Sequence, residues 1–237
     1  MSTPTYIHTM PIPLVYAIKG KHKQAIILLL DNGADVNYRL PSTNTTVDGD
    51  TPLHIACKTA NVDIVSILLD YNANMKARNS RYKLPAFNCQ PGIIKLMLDR
   101  GLHIETPIHS SGATMLDISA AIEDISMMQY LLDRNAYVDS IDDYGQTPLY
   151  TAIRYKKTRS IELLLQHGAS IHMYIRNDAD SDKSSDDGEP TTLIDTLHMV
   201  NNIDVYTAVL DNLRDNRDRQ YIINGIKDSS IRKYIES

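Results

Sequence analysis

The chain has 237 residues, of which 43% are hydrophobic and 22% are charged. This composition is sufficient for a substantial core and predicts a soluble, globular protein. The net charge of −5 argues against nucleic acid as a partner, because general nucleic-acid binders carry a basic excess that pairs with phosphate.

The cysteines and the N-terminal residues bear on the compartment. Only Cys57 and Cys89 occur, so we expect no disulfide framework and a reducing, cytoplasmic compartment. Residues 1–20 lack a basic segment followed by an apolar stretch, and the aliphatic run at residues 25–30 is too short to cross a bilayer. We therefore expect neither a signal peptide nor a membrane partner.

An apolar triplet, a polar pair and then a Gly or Asn recur five times along the chain. The first copy is LLLDNGADVN at residues 28–37, and the Gly or Asn positions are separated by 39, 29, 34 and 33 residues. Both residue types tolerate the left-handed backbone conformation that ends an α-helix. The pattern predicts helix ends at Gly33, Asn72, Gly101, Asn135 and Gly168.

Two helices are predicted in each repeat. The second helix carries an apolar stripe, as in the runs that start at Ile64, Met127 and Ser160. The first helix starts at a capping Thr that is followed by Pro, as in residues 51–52 and 147–148. We place the same start in the segments that begin at Ile12, Thr114 and Thr191.

Two segments carry a family resemblance. GDTPLHIACKTANVDIVSILLDYNANMKAR, residues 49–78, and YGQTPLYTAIRYKKTRSIELLLQHGASIH, residues 144–172, closely resemble the ankyrin repeat, which has a period of about 33 and a TPLHxA signature. The resemblance implies an all-α ankyrin-repeat solenoid of stacked helix-turn-helix units with β-turn fingers. The diverged repeats and the abundance of Asn, Tyr and Ile resemble ankyrin proteins of poxviruses and other large DNA viruses, or effectors of intracellular bacteria.

The resemblance also implies how the chain divides into domains. We predict ankyrin repeats in residues 1–175, an acidic loop rich in Ser and Asp at 176–190, and a degenerate sixth repeat with C-terminal capping helices at 191–237. The five repeats fall at about 10–42, 48–80, 81–108, 112–141 and 145–175.

Two repeats depart from the pattern. Extra residues at 40–47 lengthen the first finger. The third repeat is shorter, since Pro85 to Ile93 takes eight steps where Pro52 to Ile64 takes twelve. Pro91 also disfavours a regular helix there. We expect a short or irregular first helix, which leaves either a tolerated packing defect or a pocket for a partner's side chain.

The acidic loop allows two interpretations. A solvated linker is favoured, because Lys183 stands where a calcium loop needs Gly. The alternative is an adaptor modulated by calcium or by phosphorylation of Ser184. The carboxylates at calcium-ligand spacing are Asp178, Asp180, Asp182, Asp186 and Glu189.

No catalytic or cofactor motif assembles. The histidines and cysteines lack metal-ligand spacing, and no glycine-rich phosphate cradle occurs. The resemblance gives His54 a structural role, in which it ties neighbouring repeats by hydrogen bonds, and Cys57 is expected to be a small buried packing residue. We predict a non-enzymatic chain with no cofactor and no metal, with an uncharacterised effector enzyme as the alternative.

The remaining function is recognition of a protein. We predict a monomeric scaffold in the host-cell cytoplasm or nucleus that engages a host regulatory protein through its concave face and fingers. The candidate contacts are polar or aromatic residues off the apolar stripe, with ordinary solvated surface charge as the alternative for each. They are Tyr38, Arg39, Lys76, Arg78, Arg81, Tyr82, Lys83, Asp143, Tyr144, Arg154, Tyr155, Lys156 and Lys157.

A modification site is also predicted in the first repeat. Asn37, with Leu29, Asp35 and Val36, matches the spacing that asparaginyl hydroxylases recognise in ankyrin repeats. The favoured alternative is a turn residue whose side chain bonds its own backbone.

Overall fold

A computed structural model describes residues 12–41, 49–172, 174–175 and 191–236. Within these residues the chain forms thirteen α-helices, one 3₁₀ turn and a two-stranded ladder, and it divides into two compact units at residues 1–110 and 111–237. The predicted all-α ankyrin fold is therefore confirmed, apart from the short ladder.

The first unit contains three helix pairs. They are α1 (Ile12–Lys19) with α2 (Lys23–Asp31), α3 (Pro52–Lys58) with α4 (Val62–Asp70), and a 3₁₀ turn (Pro85–Asn88) with α5 (Pro91–Asp99). The first helices α1 and α3 pack side by side, and the 3₁₀ turn continues that row, while α4 packs on α5.

The second unit repeats this arrangement and adds a C-terminal extension. Its pairs are α6 (Met115–Ile122) with α7 (Ile125–Leu132), α8 (Pro148–Arg154) with α9 (Thr158–Gln166), and α10 (Leu193–Val200) with α11 (Ile203–Asn212). The strands β1 (Tyr174–Ile175) and β2 (Thr191–Thr192) pair antiparallel before α10, and α12 (Asn216–Gly225) and α13 (Ser229–Glu236) follow α11. In this unit α8 lies between α6 and α10.

The five predicted helix ends adopt the left-handed conformation. Gly33, Asn72, Gly101, Asn135 and Gly168 have φ between 61° and 95°, as the repeat pattern predicts. A second left-handed position, at the turn between the two helices of a pair, was not apparent from the sequence because Gly does not occupy it. Lys21, Ala60, Glu123, Lys156 and Asn201 hold that position.

The predicted starts of the first helices are confirmed at Thr51, Thr114 and Thr147, each of which is the residue before its helix. Thr147 Oγ1 accepts a hydrogen bond from Tyr150 N, and Thr51 caps α3 together with His54. The start placed at Thr191 is wrong by one residue, because the capping residue of α10 is Thr192. Its hydroxyl bonds Asp195, while Thr191 belongs to β2.

The cores of both units are aliphatic. In the first unit Leu53, Ile64, Val65 and Leu68 are fully buried. In the second unit the buried side chains include Leu149, Ile153, Ile161 and Leu164. This burial between neighbouring pairs supplies the main stabilising free energy, since no single pair could cover its own apolar face.

The third repeat is shortened as predicted. A single 3₁₀ turn replaces its first helix, and Pro91 begins α5, a position where a missing N–H costs nothing. Cys57 is buried on α3, as predicted, and it forms a disulfide with Cys89, after the 3₁₀ turn, with the two Cα atoms 4.7 Å apart. The sequence analysis did not predict this bond. The 3₁₀ turn packs on α3 and is joined to it covalently.

No helix among the described residues is long and apolar enough to cross a membrane.

Candidate protein-binding site

The second finger, residues 73–84, is a loop held by its own side chains. Asn79 Oδ1 accepts hydrogen bonds from the backbone N–H groups of Arg81 and Lys83, both at 3.0 Å. Asn79 Nδ2 donates to the buried carboxylate of Asp50 at 2.9 Å, and Lys58 Nζ donates to the same carboxylate at 2.5 Å. The finger is therefore a rigid platform on which the exposed side chains have defined positions.

His54 fixes the C-terminal end of this finger. Its Nδ1 accepts from Thr51 N at 3.1 Å, so Nε2 carries the proton and donates to Lys83 O at 3.0 Å. Burial is the largest influence on this side chain and lowers its pKa, because the protonated ring would be poorly solvated. The predicted structural role of His54 is confirmed.

Tyr82 occupies an unusual position in the finger. It lies three residues before Pro85 and has φ +55°, whereas Gly49, Gly112 and Gly145 hold the corresponding left-handed position in three other fingers. A bulky residue in this conformation costs roughly 1 kcal/mol. The Tyr82 side chain is 68% exposed, so burial of the ring does not offset this cost.

The predicted contacts in the second finger divide into residues that support the loop and residues that are exposed on it. They are Lys76, Arg78, Arg81, Tyr82 and Lys83. Arg78 is half-buried, and its Nη1 donates to Tyr82 O at 2.7 Å, so it supports the finger. Lys83 lies 3.7 Å over the Phe87 ring. The exposed side chains Lys76, Arg81 and Tyr82 form what we term the finger patch, and none of them makes an ion pair within the described residues.

The first finger contributes fewer exposed groups. Tyr38 is half-buried and Arg39 is exposed. Leu40 N donates to Asp50 O at 3.0 Å and Gly49 N donates to Leu40 O at 3.1 Å, which closes the base of the long insertion. The rest of that insertion, residues 42–48, lies outside the described part of the chain.

Asn37 links the first finger to the second. Its Oδ1 accepts from Asn74 N at 2.7 Å and its Nδ2 donates to Asn72 O at 3.2 Å. The favoured interpretation, a side chain bonded to its own backbone, is wrong, because Asn37 bonds the neighbouring repeat. Hydroxylation of Asn37 stays a prediction, which intact mass after incubation with an asparaginyl hydroxylase tests.

In the second unit the candidates fall at opposite ends of α8. Asp143 and Tyr144 are exposed on the finger that precedes α8, where Asp142 Oδ1 accepts from the N–H groups of Tyr144 and Gln146 at 2.9 and 2.8 Å. Burial raises the pKa of Asp142. At the other end, Arg154, Tyr155 and Lys156 are exposed and Lys157 is half-buried.

The calcium and phosphorylation hypotheses concern residues 176–190, which lie outside the described residues, so both stay predictions. Within the described residues no group of three or more His, Cys, Asp or Glu side chains is placed to hold a metal ion.

A family model for ankyrin repeats, described as three copies, matches residues 8–79 and 84–175. Relatives include human Rabankyrin-5, which is 31% identical over 172 residues, covering 68% of this chain and 15% of that protein. Phosphate system positive regulatory protein PHO81 of Saccharomyces cerevisiae is 29% identical over 170 residues, covering 67% of this chain and 13% of that protein. The chain thus spans less than a sixth of these two relatives.

Solved structures show the same fold. The ankyrin repeat domain of Bcl-3, of the IkappaB protein family, aligns with a TM-score of 0.73 and 19% identity over 95% of this chain and 98% of that chain. A structure of the predatory endopeptidase Bd0816 from Bdellovibrio bacteriovorus, in complex with immunity protein Bd3460, aligns at 0.67 with 20% identity, over 84% and 97% of the two chains. Together with the repeat geometry and the family model, these similarities establish that the chain belongs to the ankyrin-repeat family.

Proposed function

We propose that this chain is a non-enzymatic scaffold that binds a protein partner through the finger patch, Lys76, Arg81 and Tyr82. Ankyrin repeats generally mediate protein–protein interaction, and this patch is where the second finger departs from the other fingers. The conformation of Tyr82 carries the proposal, because a strained, exposed aromatic on a rigid loop indicates selection for something other than stability.

The charge of the patch suggests the chemistry of the partner. Lys76 and Arg81 are exposed cations on a chain with a net charge of −5, so the patch favours an acidic surface. Tyr and Arg are enriched at binding hot spots because they combine large contact area with directional hydrogen bonds.

We further propose that the partner is a host regulatory protein and that the chain acts as a monomer in the cytoplasm or nucleus. This proposal is based on the residue composition and the diverged repeats, which resemble viral and bacterial-effector ankyrin proteins. The relatives named above are eukaryotic, which gives this origin no further support.

Capture followed by titration tests the proposal. Proteins captured from a cell lysate on the immobilised chain are identified by mass spectrometry, purified and titrated against the wild type and the triple variant Lys76→Glu, Arg81→Glu, Tyr82→Gly. We expect the variant to lose at least about 2 kcal/mol of binding free energy, as hot-spot residues do.

The matched control carries the same charge change elsewhere in the first unit. Lys19 and Lys21 are exposed, so Lys19→Glu with Lys21→Glu should leave affinity unchanged. An equal loss of affinity in both variants would show that net charge, rather than the finger patch, determines binding. Full affinity of the triple variant would reject the proposed site.

A further inference from the structure

The second unit contains a cavity of about 440 Å³ beside the start of α12. Its walls come from the segment that follows α9, from the start of α10 and from the first two turns of α12. Small-molecule sites in proteins have volumes of this order, with mostly apolar walls and a few polar groups that orient the ligand. The residues that line the cavity include none of the contacts predicted from the sequence, so it is distinct from the finger patch.

The apolar part of the cavity is formed by Ile171, Ile194 and the ring of Tyr221. The two isoleucines are 4% and 7% exposed, so their positions are set by the packing of the core. The Tyr221 side chain is 65% exposed, so a ligand that enters the cavity can cover part of its ring. This wall therefore offers contact area to an apolar group of a ligand.

Arg217 and Asp218 place one positive and one negative charge in the same cavity. Both lie in the first turn of α12, where Asp215 Oδ1 accepts a hydrogen bond from Arg217 N at 2.7 Å and caps the helix. Arg217 is exposed, and it forms no ion pair with any other residue that the structure describes. Its guanidinium is therefore available to an anionic group of a ligand.

His172 holds one oxygen of the Asp218 carboxylate. Its Nε2 donates to Asp218 Oδ2 at 3.3 Å, because a carboxylate can only accept, and its own backbone N donates to Ser170 Oγ at 3.2 Å. The Asp218 side chain is 26% exposed, and its second oxygen, Oδ1, accepts no hydrogen bond within the described part of the chain. One carboxylate oxygen is therefore fixed by the protein, and the other is open to a donor from a ligand.

We infer that this cavity binds a free apolar amino acid in its zwitterionic form. The ligand's ammonium group donates to Asp218, its carboxylate accepts from Arg217, and its side chain packs on the wall formed by Ile171, Ile194 and Tyr221. A terminus of a folded protein carries only one of these two charges, so the pair of charges favours a free amino acid over a chain end. The inference goes beyond the scaffold function, because it assigns a small-molecule ligand to a surface that the finger patch does not include.

Isothermal titration calorimetry on the full chain tests the inference, with L-phenylalanine as the probe. We expect a Kd of about 1 mM or tighter, as suits a ligand of this size in an accessible cavity. Each comparison ligand lacks one of the recognised groups: N-acetyl-L-phenylalanine lacks the ammonium, L-phenylalaninamide lacks the carboxylate, and glycine lacks the apolar side chain. Each of them should bind at least about fivefold more weakly than L-phenylalanine.

Variants of the chain assign each charge to its partner group. Arg217→Gln should weaken binding of L-phenylalanine by at least about fivefold and leave the weaker binding of L-phenylalaninamide unchanged. Asp218→Asn should weaken binding of L-phenylalanine in the same way and leave that of N-acetyl-L-phenylalanine unchanged. The asparagine still accepts from His172, so this variant should fold normally. The matched control is Arg214→Gln, which removes an exposed cation that does not line the cavity and should have no effect.

Three results would overturn the inference. The first is no heat of binding at about 10 mM L-phenylalanine, tenfold above the expected Kd. The second is unchanged affinity for L-phenylalanine in both Arg217→Gln and Asp218→Asn, because the ligand would then bind elsewhere. The third is equal affinity for L-phenylalanine and its N-acetyl derivative, because the cavity would then recognise a carboxylate alone. None of these results affects the scaffold proposal, whose test uses the finger patch.

Discussion

The positive φ of Tyr82 distinguishes this residue from the glycines at the equivalent positions of other fingers. The glycines at 49, 112 and 145 adopt their left-handed conformations without steric cost, whereas Tyr82 adopts it against its own Cβ. The hydrogen bonds of Asn79 and Arg78 hold the loop in that conformation. The neighbouring repeat therefore stabilises an aromatic side chain that local preference alone would not place there.

Tyr82→Gly should leave the free energy of unfolding within about 1 kcal/mol of wild type, because relief of strain offsets the greater freedom of Gly in the unfolded chain. Urea unfolding measures this, with Tyr82→Ala, which keeps the strained Cβ, as the control. A loss above about 2 kcal/mol would mean that the ring stabilises the fold, and the argument from strain would fail.

His54 makes stability depend on pH. Burial lowers its pKa in the folded chain below the unfolded value of 6.5, so the unfolded state binds the extra proton. Stability is therefore complete above that value and falls as pH decreases towards the folded pKa. Protonation of Nδ1 would also remove the acceptor for Thr51 N.

We expect the melting temperature to drop as the pH falls below about 6.5, and the drop to be smaller in His54→Gln, which has no titrating ring. The pKa values of His109 and His198 are also lowered by burial, so part of the dependence will remain. An identical pH profile in the variant would show that His54 does not contribute.

At the level of the helix, burial between repeats is the main stabilising interaction. Leu68 on α4 is fully buried, whereas Leu28 on α2 is 64% exposed. Leu68→Ala should cost about 2 to 5 kcal/mol, because it removes transfer free energy and leaves a cavity. Leu28→Ala should cost below about 1 kcal/mol. Equal costs in urea unfolding would contradict the stacked arrangement.

The 3₁₀ turn of the third repeat is joined to α3 by the disulfide between Cys57 and Cys89, which are separated by 32 residues. Closing a loop of this length contributes about 3 to 4 kcal/mol by restricting the unfolded chain. A reducing agent should therefore lower the melting temperature of wild type and leave Cys57→Ser with Cys89→Ser unaffected. Equal melting with and without the reductant would show that the bond does not stabilise the fold.

The disulfide also bears on the cellular compartment of the protein. Stable disulfides are rare in the reducing cytosol, so the bonded pair does not favour the cytoplasmic compartment that the low cysteine content suggests. The cytoplasmic location stays a prediction.

Repeat patterns made most of the architecture predictable. Apolar periodicity and the Gly or Asn at each helix end place the second helices, and the Thr-Pro pairs place α3 and α8, because these signals are local. The register of α10 was missed, since two adjacent Thr residues can each cap and only the partner Asp195 distinguishes them. The disulfide was missed because spatial neighbours far apart in sequence leave no periodic signal.

The candidate site was less predictable than the fold. Basic and aromatic clusters were visible in the sequence, but Arg78 and Arg81 look alike there, although one supports the finger and the other is exposed. Ile122 and Met199 read as ordinary apolar helix residues, although both are exposed in the structure. Exposure depends on tertiary contacts, which composition does not encode.

Hydrogen exchange of the chain, alone and saturated with the purified captured partner, tests the scaffold account most directly. The account predicts slower exchange in the second finger, residues 76–83, with little change in the second helices α2 and α4. Slower exchange confined to those second helices, with the finger unchanged, would contradict it.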